Sequence, residues 1–291
     1  MHLLVFILIY PHLWVVSKLP RPLFYLLSDI FFVKLFYFFG YRKKVVLENL
    51  VLCFPNKELR ELHLIRRQFY KHLCDMVFES IKSISISEKE IKKRFQFKNL
   101  SVFSDLEKKD KSALLILGHY GNWEWIFILQ TFIKHTGYGV YKQLKNKYFD
   151  RLVKQIRAKY NTYLITTKET VSVLNDVNNN GELTASGFIS DQSPKKNKAF
   201  HWQKFMGVKV PVYTGAEMLA KRLNHAVIFT KISKVKRGHY QCEFELITDE
   251  PQSIPDYTIT DQFLKRLEQQ IREEPAYYLW THKRWKHKED N

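Results

Sequence analysis

Residues 114–125 read Leu-Leu-Ile-Leu-Gly-His-Tyr-Gly-Asn-Trp-Glu-Trp: an apolar strand that runs into a glycine-flanked polar turn and then into a helical pattern. In open α/β sheets, ligand-facing residues sit at such carboxyl ends of strands. Gly118 and Gly121 permit a tight turn and a close substrate approach around His119. Glu124 follows five residues later. On one continuous helix that step rotates about 140°, which would turn the two side chains apart. If His119 precedes the helix and Glu124 lies in its first turn, the carboxylate can fold back onto the imidazole. It would then hold one ring nitrogen protonated and leave the other as a base. The spacing alone is equally met by a histidine at a strand end and a glutamate on a helix dipole.

Outward from this segment, short apolar runs alternate with helical periodicity. Strands are expected at 113–117, 139–142, 162–165, 183–189, 226–232 and 241–247, and helices at 123–134, 147–160, 169–178, 214–223 and 261–273. Upstream, Leu62, Ile65, Phe69, Leu73, Met76 and Val77 recur at the three-four spacing of an amphipathic helix over residues 57–83. The polar stretch 84–110 reads as a connection. The pattern predicts an α/β fold with a central, mostly parallel or mixed sheet flanked by helices, and no repeat divides the chain.

The first 44 residues read differently. Residues 3–16 are apolar but short for a span of about 20 residues, and the aromatic-rich block 23–41 carries Asp29 and Lys34 before ending at Arg42, Lys43 and Lys44. No alanine precedes Ala113, so a small-residue cleavage site does not follow the run and a signal peptide is not expected. Residues 1–44 therefore read as a membrane anchor and interfacial segment whose basic end lies on the cytoplasmic side, and residues 45–291 as the catalytic domain. A net charge of +18 favours anionic partners without choosing among a leaflet, an acidic protein, phosphorylated substrates and nucleic acid. Cys53, Cys74 and Cys242 have no metal spacing, and no phosphate loop occurs, so neither a metal nor a cofactor is expected. Each cysteine reads as a small buried apolar residue in a reducing compartment.

At Gly118, His119 and Glu124 the sequence resembles the lipid A biosynthesis acyltransferase family, the late lauroyl and myristoyl transferases of Gram-negative bacteria. The resemblance extends through residues 48–55 (Glu-Asn-Leu-Val-Leu-Cys-Phe-Pro), Tyr141-Lys142, Asn146, Arg157, Asp191-Gln192, and residues 278–285 (Tyr-Leu-Trp-Thr-His-Lys-Arg-Trp). Lys142 stands where many members have Arg, and the two are not equivalent at an anion site. The resemblance implies a fold like that of glycerol-3-phosphate acyltransferases and an N-terminal membrane anchor. It also implies a cytoplasm-facing site at the inner membrane, acyl carrier protein as donor, and a phosphorylated lipid A precursor as acceptor.

On that footing His119 is the expected general base and Glu124 its partner. Arg157, with Asn146 and Lys142, is expected at an anion or oxyanion, and Asp191 and Gln192 at the acceptor. Trp280, His282, Lys283, Arg284 and Trp285 mix aromatic rings with charge and are expected either to meet lipid headgroups or the sheet edge or to play a purely structural role. One rival reading keeps the chemistry and changes the acceptor to an aminolipid, glycolipid or lysophospholipid. A second, a basic nucleic-acid-binding or scaffold protein, is disfavoured because the longest aromatic stretch is apolar and N-terminal rather than interleaved with basic residues.

Overall fold

Five consecutive apolar residues, Ala113–Leu117, are all buried, as expected of a strand covered on both faces of a parallel sheet. The computed structural model describes residues 1–289. In chain order its helices are α1 (His2–Lys18), α2 (Arg21–Val33, extended by a π-helical turn Lys34–Phe39), α3 (Lys43–Cys53), α4 (Leu59–Lys82), α5 (Glu88–Arg94), α6 (Ser101–Lys108), α7 (Lys147–Arg157), α8 (Thr170–Asn179), α9 (Gly215–Leu223) and α10 (Thr258–Glu273). The strands are β1 (Phe95–Lys98), β2 (Ala113–Leu117), β3 (Thr136–Tyr141), β4 (Tyr163–Thr166), β5 (Thr184–Ile189), β6 (His201–Phe205), β7 (Val208–Val212), β8 (Ala226–Lys236) and β9 (His239–Thr248).

Among the described residues, seven strands form one sheet in the order β1-β9-β8-β2-β5-β3-β4, and β6–β7 stand apart as an antiparallel hairpin. Every pairing in the large sheet is parallel except β8–β9. The result is the mostly parallel mixed α/β sheet that the alternating pattern predicts. β2 sits where the order reverses, with β5 on one side and β8 on the other, which is where such sheets bind ligands.

The period-2 alternation of β2 divides the core. Leu114 and Ile116 join Val227, Phe229, Ala220, Phe263 and Leu267 on one face, packed by α9 and α10. Ala113, Leu115 and Leu117 face the other way, among Ile228, Ile128, Phe103 and Leu106.

Two local expectations are corrected, and one element goes unmarked in the sequence pattern. The stretch 84–110 is not a plain connection: it holds α5, β1 and α6, with β1 pairing β9 across Phe97 and Cys242. Its many lysines lie on the outer side of short elements whose few apolar residues (Ile91, Phe95, Phe103, Leu106) are buried, too few to give a clear period. The 123–134 helix is instead a 3-10 helix over Trp123–Thr131, and the hairpin at 201–212 had no reading at all. All three cysteines are buried thiols.

The N-terminal helices pack on the rest of the chain through aromatic contacts, Phe24 on Phe78, Phe36 on Tyr70 and Phe6 on Phe149, and through a polar edge. Arg237 on the β8–β9 turn pairs with Asp29 of α2 at 2.8 Å and with Asp75 of α4 at 2.6 Å, and Ser28 donates to Asp75 at 2.9 Å. Lys82 donates to the carbonyls of Ser17 and Leu19. The opposite side exposes Leu4, Leu8, Leu26 and Ile30, and most of all Phe38 (79%) and Phe39 (77%). Arg21–Phe39 is, by length and composition, apolar enough to cross a membrane.

Candidate active site

The turn after β2 is fixed from three directions. A side chain at Gly118 would come within 2.7 Å of Leu267 on α10, so only glycine lets the strand end lie against that helix. Gly121 has φ +61°, with Ile232 at 3.0 Å from where its Cβ would stand, so a side chain there would be both strained and crowded. The C-terminal segment then clamps the turn: Leu279 N–H donates to the His119 carbonyl and Gly121 N–H to the Tyr277 carbonyl, each at 3.0 Å. Asn122, fully buried, donates to Glu79 at 2.8 Å. Glu79 also accepts from Tyr240 (2.7 Å) and Tyr25 (3.0 Å). Burial pushes the Glu79 carboxyl up to about 7, against the pull of those donors and of Lys234.

The carboxylate on the imidazole is that of Asp191, not Glu124. His119 Nδ1 lies 2.6 Å from Asp191 Oδ1, with the imidazole 18% exposed and the aspartate 2%. β5 pairs with β2 in register, Leu117 opposite Ile189, so residues two beyond each strand end, His119 and Asp191, arrive at the same level. Glu124 lies in the first turn of the 3-10 helix, where Arg157 from the end of α7 takes it in a two-point fork (Nη2–Oε1 2.6 Å, Nε–Oε2 3.0 Å). The expected fold-back of Glu124 onto the ring is thus replaced by an ion pair across 33 residues.

Electrostatics follow this geometry. Burial pulls the imidazolium of His119 down, but the charge and hydrogen bond of Asp191, with a smaller push from Glu124, outweigh it and leave the pKa above its ordinary value. Burial would raise Asp191; His119 and Arg284 outweigh that and hold it below the usual carboxylate range. The pair therefore favours a charged acid and a ring that takes up a proton readily.

Of the other expected site residues, Gln192 is close, its Nε2 3.4 Å from His119 Nε2. Asn146 lies away from the imidazole. It caps α7, accepting from Tyr148 N–H at 3.0 Å and Phe149 N–H at 3.5 Å, and donates to the His2 carbonyl at 3.2 Å. Lys142 is exposed in the loop before it.

The C-terminal signature is interior: Tyr278, Trp280, Arg284 and Trp285 are all buried, while Lys283 alone of the five named aromatic and basic residues is exposed. Arg284 donates to Ser193 and to the Pro211 carbonyl at 3.1 Å each. Its burial reflects a support beneath Asp191 that spacing in the sequence does not reveal.

Beside the imidazole an apolar cavity opens between the odd-numbered face of the sheet and the 3-10 helix. It holds about 680 Å³ of free space, the open solvent at its mouth included. Leu115, Leu117, Ile126, Phe127, Val140 and Ile189 form much of its wall. Trp123, edge-on to His119 at 5.1 Å, and the Glu124–Arg157 pair belong to its lining.

An imidazole backed by a buried carboxylate, beside an apolar slot, suits proton removal next to a hydrocarbon chain. The sequence comparison agrees with that chemistry, since residues 2–287 match the model of the bacterial lipid A biosynthesis acyltransferases. The chain belongs to that family. A lipid A biosynthesis lauroyltransferase of Escherichia coli (strain K12) is 23% identical over 279 residues, covering 94% of this chain and 89% of that protein. As a lipid A biosynthesis acyltransferase, the protein is an enzyme that transfers acyl groups; Glu124 lines the slot, and His119 stands beside it, edge-on to the lining Trp123.

Proposed function

We propose that the protein moves a fatty acyl group from an acyl carrier protein thioester to a hydroxyl of a phosphorylated lipid A precursor at the cytoplasmic face of the inner membrane. The observation that carries this reading is the His119–Asp191 pair beside an apolar cavity, the imidazole edge-on to Trp123 of the cavity lining. Asp191 holds Nδ1 and leaves Nε2 facing the acceptor. As Nε2 takes the hydroxyl proton, the oxygen attacks the thioester carbonyl; the tetrahedral oxyanion collapses, the thiolate leaves, and the imidazolium returns the proton to it. Gln192, beside Nε2, and Arg157 supply donors for the oxyanion. Glu124 adds negative potential to the ring and holds Arg157 at the mouth.

Residues 1–44 serve as the anchor and residues 45–291 as the acyltransferase domain. Support comes from the exposed apolar side of α1 and α2, with Lys34, Arg42, Lys43 and Lys44 beside it, an arrangement suited to an anionic leaflet. The charge of +18 likewise suits an acidic carrier protein and a phosphorylated acceptor.

The test is the mass of lipid A from cells with and without the gene, and with His119→Ala. Loss of one acyl chain, restored by the wild type and not by the variant, supports the reading. Unchanged lipid A together with loss of a different acylated lipid replaces the acceptor, and an active His119→Ala enzyme removes the base. With purified protein, the variant should lose about 10²–10⁴-fold in turnover.

A further inference from the structure

The sheet wall of the cavity descends in three levels. Leu117 and Ile189 stand opposite each other at the top. Leu115, Gly187 and Gly139 make the next row, and Ala185 and Gly137 the lowest. Each level lies two residues below the last, so Ile189 to Ala185 spans about 13 Å at the strand rise of ~3.3 Å per residue. An extended hydrocarbon advances about 1.3 Å per carbon, from a C–C bond of ~1.5 Å and tetrahedral angles, so that depth matches roughly ten carbons. Gln130, held by the His135 carbonyl at 3.0 Å, and Thr162 close the lower end.

The three glycines differ in what surrounds them. A Cβ at Gly139 would meet Phe127 at 2.7 Å and Leu164 at 2.9 Å, and one at Gly137 would meet Gln130 at 2.6 Å. At those positions neighbouring side chains already fill the space. A Cβ at Gly187 would meet nothing nearer than the Tyr138 carbonyl oxygen at 3.8 Å, although the residue lines the cavity. Gly187 is therefore the place on the wall where the slot is open because a side chain is missing.

We infer that Gly187 sets the length of acyl chain the enzyme accepts, by leaving the middle of the slot free for carbons that would otherwise be stopped there. This rests on the reading of the slot as the acyl site. A side chain at 187 stands about 7 Å below Ile189 at the same strand rise. It would shut out the distal half of the chain and leave the carbons near the thioester in place. Each methylene kept in water instead of the slot costs about fourfold, so two or more excluded methylenes give at least about a tenfold effect on a long donor.

The experiment uses the full-length protein with octanoyl, dodecanoyl and tetradecanoyl thioesters of acyl carrier protein and compares kcat/KM across lengths. Gly187→Val should lower the dodecanoyl-to-octanoyl ratio at least tenfold. Gly187→Ala, whose methyl has room, should shift it the same way by about two- to fourfold. Equal losses at every length, or unchanged ratios in both variants, overturn the gauge while wild-type transfer leaves the acyltransferase site standing. Wild-type protein inert toward every donor overturns that reading of the site and the gauge with it.

Discussion

Replacing Asp191 with Asn removes one charge and keeps the shape. The bond it disturbs is 2.6 Å long, on a carboxylate 2% exposed. A hydrogen bond to a charged group contributes about 1.5–3 kcal/mol, or roughly ten- to 150-fold at a step in which the ring becomes cationic. An asparagine that presents its NH₂ to Nδ1 also forces the wrong tautomer, which in comparable orienting pairs takes the loss toward about 10⁴-fold. Asp191→Asn is expected to lower kcat by about 10²–10⁴-fold, measured as acyl transfer from the carrier thioester to the lipid acceptor under single-turnover conditions.

The pH dependence separates this role from a merely structural one. In the wild type, Asp191 lifts His119 above its ordinary value against burial. The acid limb of kcat/KM should therefore lie above about pH 6.5. Without that charge burial dominates, and the limb of Asp191→Asn should move to lower pH. Stability follows the same two groups. The raised His119 contributes stability below about pH 6.5 that is lost as pH rises through its folded value, and the depressed Asp191 contributes above about pH 3.9 what is lost as pH falls through its own. The gap in melting temperature between wild type and variant should be widest between those limits. A variant with kcat within threefold of wild type and an unmoved acid limb would refute the assignment of Asp191 to the ring.

Two further outcomes test the frame around the site. Arg237→Met leaves the buried Asp75 with Lys234 and Ser28 but without its closest cation. With Arg237 itself 30% exposed, urea unfolding should show a loss of about 2–4 kcal/mol. Asp29→Asn, at the exposed end of the same bridge, should cost less. In a double-mutant cycle of Glu124→Gln and Arg157→Ala, the partly exposed two-point pair should give a coupling of about 1 kcal/mol by denaturant midpoint. Glu124→Gln should slow acyl transfer less than Asp191→Asn does, because its carboxylate acts on the ring only through space.

Much of this protein was legible in its residues. The all-apolar run of β2 ending in Gly118 and His119 marks a central strand, since burial on both faces leaves only apolar residues. The three-four spacing of Leu62, Ile65 and Phe69 marks α4 for the same kind of reason. These signals are local, and local periodicity survives without knowledge of the rest of the chain. α5, α6 and β1 escaped because their charged outer faces swamp a few buried positions, and the β6–β7 hairpin because its alternation is short.

What tertiary structure alone decided is which carboxylate meets the imidazole. Glu124 is five residues away and Asp191 seventy-two, yet strand order and the Leu117–Ile189 register bring the distant one to the ring while Arg157 takes the near one. The same holds for the slot, whose wall is open at Gly187 because β5 brings a residue without a side chain there, and for the clamp that Tyr277 and Leu279 place on the turn around His119. Sequence spacing fixes the faces of each element. The pairing of elements far apart in the chain depends on how the whole sheet is ordered, and only the folded molecule expresses it.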